Sequence, residues 1–223
     1  MSISFIDEAP QIIKDYLFYM QTVKGKSQKT VDEYYIDLRT FFRFIKLQRG
    51  LVPNDSEFEN ISISDVDLEL VKTVTLNDAY EFMNYIQRER KNQNVTRARK
   101  CSSLKGYFNY LATKKCVLDS NPVEQLEVPK KKKSLPKYLT LEQSLELLNA
   151  VDGDYKERDY CILTLFLNCG LRVSEIASLN YTDIHQDDTM RVVGKGNKER
   201  IIYLNSACVS AIENYMRVRP VDG

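Results

Sequence analysis

A chain of 223 residues is long enough for one large domain or two small ones, and 43% hydrophobic residues, 28% charged residues and no Trp exclude a disordered or fibrous chain. The net charge of +1 is unevenly spread: residues 1–93 hold 12 Lys and Arg against 15 Asp and Glu, residues 94–140 hold 11 against 3, and residues 141–223 hold 9 against 13. A basic middle between acidic flanks points to a localised contact with a polyanion; no apolar run nears the roughly 20 residues of a membrane span, and MSISFIDEAP lacks the basic start and apolar core of a signal peptide, so a cytoplasmic location is expected.

In chain order, PQIIKDYLFYMQTV reads as a helix closed near Gly25. SQKTVDEYYIDLRTFFRFIK follows, with Ser27 placed to cap it and Val31, Tyr34, Tyr35, Leu38, Phe41, Phe42 and Ile45 repeating at helical spacing. The acidic stretch PNDSEFENISISD has no period and is expected to be a loop. Helices are predicted over LNDAYEFMNYIQRER and NVTRARKCSSLKGYFNYLATKK. In the latter Leu104, Phe108 and Leu111 suit a core, while Arg97, Arg99, Lys100 and Lys105 form a candidate nucleic-acid face.

Two prolines bracket Lys130, Lys131, Lys132 and Lys133 in VPKKKKSLPKYLT, a composition that resists helix and strand and marks a boundary. Beyond it TLEQSLELLNAV reads as a capped helix, RDYCILTLFLNCG as a buried, nearly all-apolar helix ending at Gly170, and RVSEIASLN as a short helix. MRVVG and ERIIYL read as the strands of a hairpin, and NSACVSAIENYMRVRP as a helix. The expected organisation is a helical domain over 1–118, a basic linker over 119–138 and a mainly α domain with a small antiparallel sheet over 139–223.

Three features bear on chemistry. GKGNKE is no phosphate-binding P-loop, because a strand and not a helix follows it, but it can present Lys195 at a turn between Gly194 and Gly196, with Lys198 and Arg200 behind. Arg172, between Leu171 and Val173, is expected to be partly buried and to need an anion, either an external phosphate or an internal carboxylate from Glu175 or Asp183. Five cysteines without a C-x-x-C pair and a single histidine, His185, argue against a zinc site or disulfides, and reduced, core or half-buried thiols are expected.

CGLRVSEIASLNYTDI followed by VVGKGNKERIIYL resembles the first half of the catalytic domain of tyrosine site-specific recombinases, above all the Xer-type chromosome-dimer resolvases. The pattern at Ser27, Thr30, Tyr34, Asp37, Leu38 and Phe41 resembles the first helix signature of their SAM-like core-binding domain, and NPVEQLEVPKKKKSLPKYLT their interdomain linker. The resemblance implies that Arg172 clamps the scissile phosphate, that Lys195 protonates the departing 5′-oxygen, and that Glu175 orients the site behind them. It implies duplex DNA as partner, with contacts from Arg97, Arg99, Lys100, Lys105, Lys130 to Lys133, Lys198 and Arg200, and neither metal nor other cofactor.

The family pattern continues with an H-x-L-R box and a nucleophilic tyrosine, neither of which is present in the 223 residues; His185 does not match the family histidine, and no tyrosine matches the nucleophile motif. Full-length relatives act as tetramers on DNA, whereas this chain is expected to bind DNA as an inactive monomer. A mobile-element integrase and a non-catalytic DNA-binding regulator are the alternatives.

Overall fold

The structure, a computed structural model, describes residues 8–127, 137–194 and 196–220. The chain divides into two compact units, 1–134 and 135–223. No helix among the described residues is long and apolar enough to cross a membrane.

The first unit is built on α1 (Gln11–Thr22), α2 (Gln28–Gln48), α3 (Leu68–Lys72), α4 (Leu76–Arg88) and α5 (Asn94–Thr113). Ser27 accepts the Thr30 amide at 3.4 Å and so starts α2 as expected, while at α4 Thr75 and Asp78 cap each other's backbone reciprocally. The periodic residues of α2 point inward. Phe41 lies at the centre, edge-on to Phe42 and Phe82 at 5.2 Å and to Phe108 at 6.3 Å. The five-residue α3 was not foreseen in the acidic stretch or after it, being too short to display a period. The preceding loop is held down by two basic residues of α2: Arg43 Nε donates to the Ile61 carbonyl at 2.8 Å, and Lys46 Nζ donates to the Ser62 carbonyl at 2.8 Å and to Asp65 at 2.7 Å. Val123 and Leu126 are buried in this same core, so the first part of the expected linker is packed on the first unit.

One close approach in this core is testable. A Cβ on Gly106 of α5 would stand 2.7 Å from Tyr16 Oη of α1, and Tyr16 is buried. Gly106→Ala is therefore expected to destabilise the protein by up to about 2 kcal/mol, overpacking of about 1–3 kcal/mol being offset by roughly 1 kcal/mol of helix propensity gained. A urea midpoint at or above that of the parent would refute it.

The second unit holds α6 (Leu141–Asn149), α7 (Lys156–Cys169), α8 (Val173–Ala177), the antiparallel pair β1 (Thr189–Gly194) and β2 (Lys198–Tyr203), and α9 (Ser206–Val218). α6 begins in a capping box of Thr140 and Gln143. The smaller core gathers Cys161 and Leu165 of α7, Leu171, Met190 and Val192 of β1, and Cys208, Ala211 and Ile212 of α9. α7 is not buried all round, against expectation: its packed face holds Cys161, Thr164 and Leu165, whereas Leu167 is exposed. All five thiols are free; Cys116 is exposed, and burial pushes the Cys208 thiol up to about 12.

Candidate active site

Three segments of the second unit meet at one carboxylate. α7 ends where Gly170 takes a left-handed conformation (φ 60°), which turns the chain so that Arg172 becomes the N-cap of α8 and Glu175 its third residue. Glu175 folds back under the helix start, its side chain 2% exposed, and Oε2 accepts the Arg172 backbone amide at 2.9 Å. Oε1 accepts Arg172 Nη1 at 2.8 Å. From β2, Arg200 adds a two-pronged contact, Nη1 to Oε1 and Nη2 to Oε2, both at 2.9 Å.

Strand alternation explains why Arg200 reaches this point. It pairs with Val192 and shares its face with Ile202, the core-facing side of the hairpin, whereas Ile201 and Tyr203 face outward and are exposed. The fork runs beside Gly194, where a Cβ would stand 3.3 Å from Glu175 Oε1 and 3.6 Å from Arg200 Nη1. A side chain at 194 would make the carboxylate give by a few tenths of an ångström, while Gly196 supplies a positive φ of 77° in the turn. The Arg200 fork first, then the Arg172 amide, hold the Glu175 carboxyl well below the usual carboxylate range, outweighing the opposing effect of burial.

Arg172 itself departs from expectation. Its side chain is 69% exposed, not partly buried, because the turn at Gly170 aims it outward and Val173 beside it is exposed as well. Of the two internal partners weighed for it, Glu175 is the one found. Asp183 binds Arg191 instead, at 2.7 Å to Nη2, and the Asn180 amide foremost, with Arg191, holds the Asp183 carboxyl low. The structure thus brings Arg172, Glu175 and Arg200 together; Lys195 lies outside the described residues, and Lys198 is exposed on β2.

In the first unit the expected basic face is largely occupied by internal partners. Lys100 is the clearest correction: its side chain is 6% exposed and Nζ donates to Asp37 Oδ1 at 2.9 Å. Asp37, fully buried on α2, also accepts Arg99 Nη1 and Ser103 Oγ, each at 2.7 Å on Oδ2. The ammonium is drawn inward because a buried carboxylate demands compensation. Arg99, half-buried, additionally meets Glu33 at 2.8 Å, Arg97 is bonded to Gln87 and Asn94, and Lys105 Nζ donates to the Leu126 carbonyl at 3.2 Å. Lys130, Lys131, Lys132 and Lys133 lie outside the described residues. The function of Arg200 as a partner of Glu175 was missed from sequence, although its even spacing from Ile202 was a signal for it.

Residues 13–115 match the model of the phage integrase N-terminal SAM-like domain, and residues 137–222 that of the phage integrase family. The tyrosine recombinase XerC of Caldanaerobacter subterraneus subsp. tengcongensis is 50% identical over 214 residues, covering 96% of this chain and 60% of the relative. The tyrosine recombinase XerC of Chlamydia muridarum is 32% identical over 205 residues, covering 90% and 64%. The chain therefore spans somewhat over half the length of these curated relatives. In fold, the Tn1549 transposon integrase solved in complex with transposon right end DNA is similar, with a TM-score of 0.65 at 19% identity, covering 94% of this chain and 66% of that one. The two matched models fall one within each unit, the Arg172 and Glu175 turn lies inside the second, and the chain belongs to the phage integrase family, with Xer tyrosine recombinases among its relatives.

Proposed function

We propose that the whole protein carries out site-specific strand exchange in duplex DNA in the cytoplasm, as a tetramer on its sites, and that Arg172 and Lys195 act on the scissile phosphate. The observation that carries this reading is the presentation of Arg172: one Nη and the backbone amide are held by a buried carboxylate, while the rest of the guanidinium faces solvent and can fork onto phosphate oxygens. A tyrosine oxygen attacks phosphorus, the bond to the 5′-oxygen breaks, and that oxygen leaves with a proton from Lys195 as the tyrosine gives up its own to a base. The 3′-phosphotyrosyl link conserves the bond, so a second 5′-hydroxyl can reverse the step on another strand. The transition state is more negative than the diester, which is why a fixed cation lowers its barrier.

Arg97, Arg99, Lys105, Lys130 to Lys133 and Lys198 are the proposed backbone contacts, with Lys100 and Arg200, whose terminal nitrogens are held by Asp37 and Glu175, removed from that set. Phosphate contacts make affinity steeply salt-dependent: with six or more of them, binding of a selected duplex should weaken roughly 10³-fold or more between about 50 and 200 mM salt. A gel-shift titration indifferent to salt would count against a backbone-tracking interface. The test of the reaction is a covalent protein–DNA adduct, trapped on a nicked duplex drawn from a random pool by the product of the full reading frame. No adduct on any bound duplex would overturn the strand-exchange reading.

A further inference from the structure

We propose that Arg200 is a positioning residue for the reaction: its fork on Glu175 fixes the Arg172 guanidinium and ties it to the base of the hairpin that carries Lys195. The inference rests on the reading of Arg172 and Lys195 given above and assigns Arg200 a task other than the DNA-backbone contact expected of it.

The geometry supports this in three ways. Without Arg200, Glu175 would be held only by Arg172, through Nη1 on Oε1 and the backbone amide on Oε2, both from within four residues of chain. Arg200 occupies both oxygens in parallel at 2.9 Å, a second, bidentate pair of bonds that reaches the carboxylate from a different element. Its backbone belongs to β2, paired with β1, and Gly194 at the end of β1 sits against both the carboxylate and the fork, so the same contact fixes α8 to the hairpin. With Arg200 only 39% exposed and both terminal nitrogens engaged, the orientation of Arg172 and the placing of α8 against β2 are set by one joint. A misplacement of about 1 Å in such a site is enough to cost roughly 10²-fold in rate.

The test uses Arg200→Ala and Arg200→Lys in the full reading-frame product, with duplex affinity and single-turnover adduct formation at saturating DNA measured separately. Adduct formation about 10²-fold slower, with affinity within a few-fold of the parent, is expected in both variants, because a lysine cannot span the two oxygens. Added guanidinium ion should restore part of the rate to Arg200→Ala and none to Arg200→Lys, whose side chain fills the space. Undiminished rate overturns the proposal; so does a defect that vanishes at saturating DNA, which would make Arg200 a phosphate contact. Should Arg200→Ala fail to fold, Arg200→Lys in the 223-residue chain decides by nitrogen NMR: the Arg172 side-chain signals are expected to change to those of a freely rotating guanidinium, and unchanged signals overturn the proposal. That arm reads even if the parent forms no adduct, an outcome that would sink the strand-exchange reading and not this joint.

Discussion

Arg172→Ala in the full reading-frame product is expected to lower the rate of covalent adduct formation by about 10²–10³-fold, the loss seen when one preorganised donor to a developing oxyanion is removed. The transition state carries more charge on its non-bridging oxygens than the diester, so the loss belongs to the rate at saturating DNA more than to affinity. The fold should not suffer. Arg172 is largely exposed, and Glu175 would keep the fork of Arg200 and the amide of residue 172, so stability should stay within about 0.5 kcal/mol of the parent, as for other surface changes. Arg172→Lys keeps a charge but loses the planar fork, and should fall between the two. Single-turnover adduct assays with parallel thermal melts measure both quantities; undiminished cleavage by Arg172→Ala would remove the assignment.

Asp37→Ala is expected to destabilise the first unit by about 3–5 kcal/mol, the effect of leaving one partner of a buried ion pair without the other. Asp37 is fully buried and takes Lys100 on one oxygen and Arg99 and Ser103 on the other. Arg99 can turn toward Glu33 and solvent, but Lys100, 6% exposed, has no such exit. Removing both charges together, as Asp37→Leu with Lys100→Met, should recover most of the loss, because replacing a buried pair by apolar groups of similar size is often neutral. Urea unfolding of the single and double variants reads the difference. A loss below about 1 kcal/mol for Asp37→Ala would mean that the ammonium finds another partner.

The long, capped, strongly periodic helices were legible because their signals are local: Ser27 starts α2, Thr140 starts α6, and Leu104, Phe108 and Leu111 of α5 all reach the core. The environment of single charges was not, since it depends on partners distant in sequence. Lys100 has the same appearance in the sequence as a solvated or DNA-facing lysine until Asp37, 63 residues earlier, is placed beside it. The exposure of Arg172 was misjudged from its apolar neighbours, because at a helix start after a left-handed glycine, neighbours in sequence do not share a face. Glu175 was one of two carboxylates weighed for Arg172, with Asp183 the other, and only the fold decides between them; the contribution of Arg200 required the hairpin register.

The carboxylate beneath Arg172 also determines how the site responds to acidity. Arg200 and the Arg172 amide keep Glu175 ionised far into the acid range, and guanidinium groups do not release their protons in water. Two fixed positive charges and one fixed negative charge therefore persist across the whole neutral span, and the local field felt by an incoming anion is constant there. Any bell or slope in a pH–rate curve would then report other groups, and not this cluster.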